Sequence, residues 1–209
     1  MQTLAPEHYQ QMRAGAQVLE ADSFGDKVLR LKDGNFLKLF RRKRLLSSAL
    51  IWPYAQRFAD NAQSLQQLGI PCPQIISVYR LPWLKRDLVH YRPLPGQTLR
   101  QLRDSQDMPS DLLEKLAQFI AQLHAKGIYF RSLHLGNVVL TPSGILGLID
   151  IADLKQQRKP LSPAQRLRNF RHMLRDSKDR EWLRSNGNKR FASAYHVASG
   201  QSFNLNDLE

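Results

Sequence analysis

The sequence predicts an α+β chain in two parts, a β-rich amino-terminal part with one five-stranded sheet and a mainly helical carboxy-terminal part. Three observations point this way. Short apolar, strand-like runs separated by turn residues fill the chain up to residue 92. The composition then changes at Pro93-Leu94-Pro95-Gly96, a rigid turn-forming segment that divides 1–92 from 93–209. Beyond it Leu112, Leu113, Leu116, Phe119, Ile120 and Leu123 recur at helical spacing.

In chain order, a short helix is expected over 6–17, opening at Pro6, a residue suited to a first helical turn. Val18 to Phe24 and Lys27 to Leu31 read as strands broken near Gly25. Asp33-Gly34 is a hairpin signal and leads into a strand from Phe36 to Phe40. A helix over 53–68 ends at Gly69, and Pro71 and Pro73 prevent its continuation. Strands near Ile75 to Tyr79 and Asp87 to Tyr91 complete the five. In the second part the periodic segment is a buried helix between Ser110 and Gly127. Val138 to Leu140 and Ile145 to Ile149 form a hairpin, and basic helices cover 163–176 and 179–197.

Composition excludes some function classes. Hydrophobic residues make up 42% of the 209 positions, as in a folded globular protein. Cys72 stands alone, so an intrachain disulfide framework or a cysteine zinc site is excluded, and a small buried hydrophobe is its ordinary role. No run is long enough for a membrane span and no signal peptide is legible, so a cytoplasmic protein, at most peripheral on a membrane, is expected. The 31 Lys and Arg against 18 Asp and Glu leave +13, which calls for an anionic partner or surface. Nucleic acid would satisfy the charge, but no helix-turn-helix, zinc finger or RNA-binding aromatic signature accompanies it.

The chemistry is concentrated between Leu123 and Asp150. A buried helix ends in Leu-His-Ala-Lys-Gly-Ile, Tyr-Phe-Arg-Ser-Leu-His-Leu-Gly-Asn follows, and a hairpin leads to Leu-Ile-Asp. This segment resembles the catalytic loop and metal-binding strand of the protein-kinase-like superfamily, whose small-molecule and bacterial members carry H-x-D-L-H-x-G-N, a hairpin, an apolar pair and Asp. In particular it is similar to the Kdo/WaaP-like lipopolysaccharide kinases and short toluene-tolerance-type bacterial proteins. The similarity covers about residues 18–175, and the thirteen-residue step from Asn137 to Asp150 fits its pattern.

The resemblance implies a bilobal kinase fold with ATP and Mg²⁺ as cofactors. Asn137 and Asp150 would be the metal ligands, both of the oxygen type that Mg²⁺ prefers. Lys38, in Phe-Leu-Lys-Leu-Phe, shares a strand face with Phe36 and Phe40 and would pair with the α- and β-phosphates. Phe36 falls where the family has a small residue over adenine, so it either stacks on the base or obstructs it. The lysine's usual partner is a helical Glu; this helix has none, and Asp60 is the candidate in its place. Asp22-Ser23-Phe24-Gly25-Asp26 takes the place of a glycine-rich phosphate loop, with Gly25 alone to admit phosphate to the backbone.

The largest departure is Ser132, which stands where the family has its catalytic Asp, with Phe130 in place of the preceding His. A serine is no carboxylate base, and loss of a general base costs roughly 10²–10⁴ in rate. His134 either accepts the proton instead or braces the loop, and Asp153 either assists the metal or caps a helix. Two functions follow from the resemblance: a kinase acting on a heptose or Kdo of the lipopolysaccharide core, or a pseudokinase, a nucleotide-binding or scaffolding regulator of envelope biogenesis without phosphotransfer. The implied partners are an anionic glycolipid or core oligosaccharide and acidic inner-membrane lipid. If only the base is missing, Ser132→Asp is expected to raise transfer.

Overall fold

The computed structural model describes residues 1–42 and 52–202, and of 185–188 the backbone. Lys43 and Arg44 of the basic run Arg41-Arg42-Lys43-Arg44 lie outside the described residues. The chain divides into two compact units. One comprises Met1–Gln67 and Cys72–Leu94, the other Leu68–Pro71 and Pro95–Glu209.

The first unit is a six-stranded sheet, one strand more than the five expected from sequence. The strands are β1 (Gln2–Thr3), β2 (Gln17–Asp22), β3 (Gly25–Arg30), β4 (Phe36–Arg41), β5 (Gln74–Leu81) and β6 (Arg86–Arg92), in the order β1-β5-β6-β4-β3-β2. The additional strand is β1, whose two residues pair parallel to Tyr79 and Arg80 and are too few to show a period. The Asp33-Gly34 hairpin forms: Leu31 N–H donates to Asn35 O at 2.8 Å, and Gly34 takes the positive φ that such a turn requires.

Strand alternation sorts β4 between two faces. Leu37 and Leu39 join Leu4, Leu29, Leu81 and Leu88 in a core under helix α1 (Pro6–Arg13), which adds Tyr9. Phe36, Lys38 and Phe40 share the opposite face, as alternation predicts. There Phe40 lies against Tyr54 and Phe58 of α2 (Tyr54–Gln67), and Phe36 and Phe58 both meet Tyr91. Cys72 is buried, its Sγ 3.4 Å from Ala62 O, and burial pushes the thiol up to about 12, so it packs as an inert small side chain.

In the second unit β7 (Gln97–Thr98) leads through a Thr98–Gln101 capping box into α3 (Leu99–Ser105). Helix α4 (Leu112–Ala125) buries all six residues of the predicted stripe and packs along α6 (Ser177–Ser199). Its cap position is Asp111 rather than Ser110. Helix α5 (Pro163–Met173) opens on a second capping box, Ser162 with Gln165. Strands β9 (Val138–Leu140) and β10 (Leu146–Leu148) form the expected hairpin and continue through β9 to β7. The sequence did not reveal a two-stranded pairing of β8 (Ile128–Phe130) with β11 (Leu154–Gln156).

Candidate phosphotransfer site

The loop after β8 is held by bonds from four of its backbone donors. Leu133 N–H donates to Phe130 O, Leu135 N–H to Asp179 Oδ2 at 3.3 Å, Gly136 N–H to His134 Nδ1 at 3.1 Å, and Asn137 N–H to His134 O. Asp179 is buried at the first turn of α6 and also receives Arg100 and Arg103 of α3. Sequence reading missed it, since a carboxylate at a helix start reads as a capping residue. The loop enters through Gly127, whose φ is +72° and where a Cβ would lie 2.2 Å from Gln157 O.

Beneath the loop, His124 is fully buried. Its Nδ1 lies 2.8 Å from the Tyr195 hydroxyl and its Nε2 3.2 Å from Asn169 Oδ1, while Asn169 Nδ2 donates to Phe130 O. Arg166 donates to the same Tyr195 oxygen. With Nε2 protonated and Nδ1 accepting, every partner is satisfied by a neutral ring, and burial lowers its pKa to about 4. The network ties α4, α5 and α6 to the strand that launches the loop.

Asn137 is the residue that closes the loop. Its Nδ2 donates to Ser132 O at 2.9 Å, so the amide oxygen is the atom left for a cation. Its own carbonyl accepts from Ile149 N–H at 3.0 Å, which sets Asp150 on the adjoining backbone. Asp150 has φ +53°, a left-handed conformation that Asp tolerates better than most residues, held by the bonds of Ile149 and of Leu148 N–H to Pro71 O. One amide oxygen and one carboxylate suit Mg²⁺, which keeps several waters and takes phosphate oxygens for the rest.

His134 braces. Its Nδ1 lone pair is taken by Gly136 N–H, and Nε2 lies 3.3 Å from Asn137 Nδ2. Burial is the main cause that lowers its pKa, with Arg100 adding to it, so the ring is neutral near pH 7. Ser132 is half-exposed, and its Oγ donates to Asp153 Oδ2 at 2.6 Å. This contact follows from the β8–β11 pair: one step beyond the partners Phe130 and Leu154 come Arg131 and Asp153.

The first unit holds the remaining candidates. Lys38 is half-buried, paired across the sheet with Val28 and Val89, and its Nζ lies 5.8 Å from the Phe40 ring centre. Asp60 accepts from Trp52 Nε1 at 2.7 Å and Gln56 Nε2 at 2.8 Å, so both carboxylate oxygens serve its own helix and the segment before it. Phe36 tilts against Tyr91. Gly25 has φ +108° with open space where a Cβ would be, so it serves the turn of the β2–β3 hairpin. That hairpin is tight. Asp22 Oδ1 accepts from Phe24 N–H and Arg86, Asp26 pairs with Arg13, and Arg41 stacks on Phe24 at 3.5 Å.

Comparison with known proteins finds a family similarity in part of the chain and a similar fold. The APH model, described as a phosphotransferase enzyme family, matches residues 25–127, just under half of the chain and ending before the loop. A curated relative, EKC/KEOPS complex subunit BUD32 of Encephalitozoon cuniculi, is 30% identical over 84 residues, 40% of each chain. Two solved structures of WbdD resemble the fold. One, with a kinase inhibitor, has a TM-score of 0.52 at 12% identity and covers 84% of this chain and 44% of that one. The monomeric form has 0.50 at 15%, covering 80% and 43%. The chain thus spans less than half the length of the relatives it matches. What the likeness shows is an α+β, protein-kinase-like fold, with phosphotransferase-family similarity over residues 25–127.

Proposed function

We propose that the chain transfers the γ-phosphate of ATP to a hydroxyl of an anionic glycan, a heptose or Kdo of the lipopolysaccharide core. The observation that carries the reaction type is Asn137, whose amide nitrogen is committed to Ser132 O and whose carbonyl holds the backbone next to Asp150. Asn137 Oδ1 and the Asp150 carboxylate would hold Mg²⁺, and Lys38 is assigned to the α- and β-phosphates. Bound there, the cation offsets phosphate charge and orients the γ-phosphate.

The glycan acceptor comes from the sequence resemblance and from charge. Arg131, Arg168 and Arg175 act together on His172, adding to burial in lowering its pKa, and Arg131 also acts on Asp153. Three guanidinium groups around His172, one of them on Arg131 next to Ser132 in the chain, suit an acceptor that already carries phosphate or carboxylate. The charge also suits a peripheral position on acidic lipid at the inner membrane. Among the described residues no helix is long and apolar enough to cross a membrane.

One observation favours a second reading, a nucleotide-binding scaffold without transfer. The two-residue turn Ser23–Phe24, tied down by Arg86 and Arg13, offers few N–H groups to phosphates. Incubation with γ-labelled ATP, Mg²⁺ and purified core oligosaccharide separates the two. Label on the sugar is the expected result. ATP binding without label would make the chain a scaffold, and no ATP binding would remove both readings.

A further inference from the structure

The loop position at which a kinase carries its carboxylate is occupied here by a serine, yet a carboxylate is present behind it. Asp153 Oδ2 accepts the Ser132 hydroxyl at 2.6 Å. Its other oxygen, Oδ1, is buried and has no hydrogen-bond partner among the described residues. A buried carboxylate bonded on one oxygen only is short of the donors that normally stabilise its charge, and therefore holds a proton more readily. Burial is the largest cause raising its pKa and the charge of Asp150 adds to it, while the Ser132 bond and Arg131 work the other way. Its side-chain partner is a hydroxyl from the loop after β8, 21 positions away in the chain.

We propose that Ser132 and Asp153 form a proton relay, with Ser132 touching the acceptor and Asp153 receiving the proton behind it; this rests on the phosphotransferase reading above. The acceptor hydroxyl oxygen bonds to the γ-phosphorus of ATP, the bond from that phosphorus to the bridging oxygen breaks, and the electron pair leaves with ADP. The acceptor's proton passes to Ser132 Oγ as the Ser132 proton passes to Asp153 Oδ2. Asp153 later releases it to water through the same hydroxyl. Ser132 is then the catalytic residue and Asp153 a positioning and proton-holding residue, and the departure at residue 132 moves the carboxylate back by one hydroxyl without abolishing it.

The test compares wild type, Asp153→Asn, Ser132→Ala and the exchange Ser132→Asp with Asp153→Ser, measuring ATP·Mg²⁺ binding, kcat and KM for transfer to core oligosaccharide and to water. Asp153→Asn keeps an oxygen for Ser132 and the packing but cannot take the proton. The relay expects kcat to fall by roughly 10²–10⁴ with ATP affinity unchanged, and the exchange to recover at least tenfold over Asp153→Asn. In the protein without nucleotide, Ser132→Ala should shift the Asp153 carboxyl ¹³C resonance and raise its titration midpoint. Wild-type transfer with undiminished kcat in Asp153→Asn would overturn the relay and leave the phosphotransferase reading standing. A wild type that binds ATP but transfers to neither acceptor would overturn that reading and the relay with it.

Discussion

Ser132 Oγ and Asp153 Oδ2 are joined by a 2.6 Å hydrogen bond between the loop after β8 and the turn before β11. This changes what Ser132→Asp should do. From sequence alone the substitution returns a missing base and raises transfer. With Asp153 already in contact, it sets two carboxylates against each other, and like charges at that range share a proton. Ser132→Asp alone is therefore expected to transfer more slowly than the paired exchange with Asp153→Ser and to unfold at lower denaturant; a single substitution faster than the exchange would contradict the geometry.

Asp179 connects Arg100, Arg103 and the Leu135 N–H from a buried position. Asp179→Ala takes from Arg100 and Arg103 their buried shared anion and leaves them the more exposed Asp176. Because Arg100 is partly exposed, the loss is expected to be about 2–4 kcal/mol, read as a drop in denaturant midpoint at constant m-value. Faster amide exchange at Leu135 and Gly136 should accompany it, since the loop loses its anchor.

His124 gives the fold an acid-sensitive point. Its pKa is near 4 when folded against an ordinary 6.5, so between these values the unfolded chain binds the extra proton and stability rises with pH. The contribution is complete above about pH 6.5 and is lost as pH falls toward 4, on the order of 3 kcal/mol in all. Unfolding free energies measured from pH 7 to 4 should show this slope, and His124→Gln should flatten it at some cost in stability at pH 7. An unchanged slope in the variant would place the sensitivity elsewhere.

Gly127 allows the chain to turn out of α4 into the loop at φ +72°, with Gln157 O where a Cβ would sit. Gly127→Ala should destabilise by about 1–3 kcal/mol from backbone conformation alone, with the carbonyl clash in addition. Thermal unfolding reads this directly.

Much of the fold was legible because its signals are long or specific. The Leu112–Leu123 stripe, Asp33-Gly34 and the alternation through Phe36, Lys38 and Phe40 each have one structural solution, and the structure adopts it. Strands β1, β8 and β11 escaped because two or three residues cannot display a period. Missing the β8–β11 pair meant missing that Ser132 and Asp153 are neighbours, since 21 positions separate them in the chain. Within the site, the place of Asn137 at the end of the loop was readable from the motif. The support given by Asp179, Asn169 and Tyr195 was not, because it comes from helices more than thirty residues further on.

The assignment of Asn137 and Asp150 to the metal side of a nucleotide site stands or falls on thermal unfolding with ATP, with and without Mg²⁺, in wild type and Asp150→Ala. A ligand held only by the folded state at one hundred times its Kd stabilises by about 2.7 kcal/mol. The wild type is expected to gain a Mg²⁺-dependent rise in Tm with ATP, and Asp150→Ala to lose the Mg²⁺-dependent part while remaining folded. An equal Mg²⁺-dependent rise in both proteins, or none in the wild type, would contradict it.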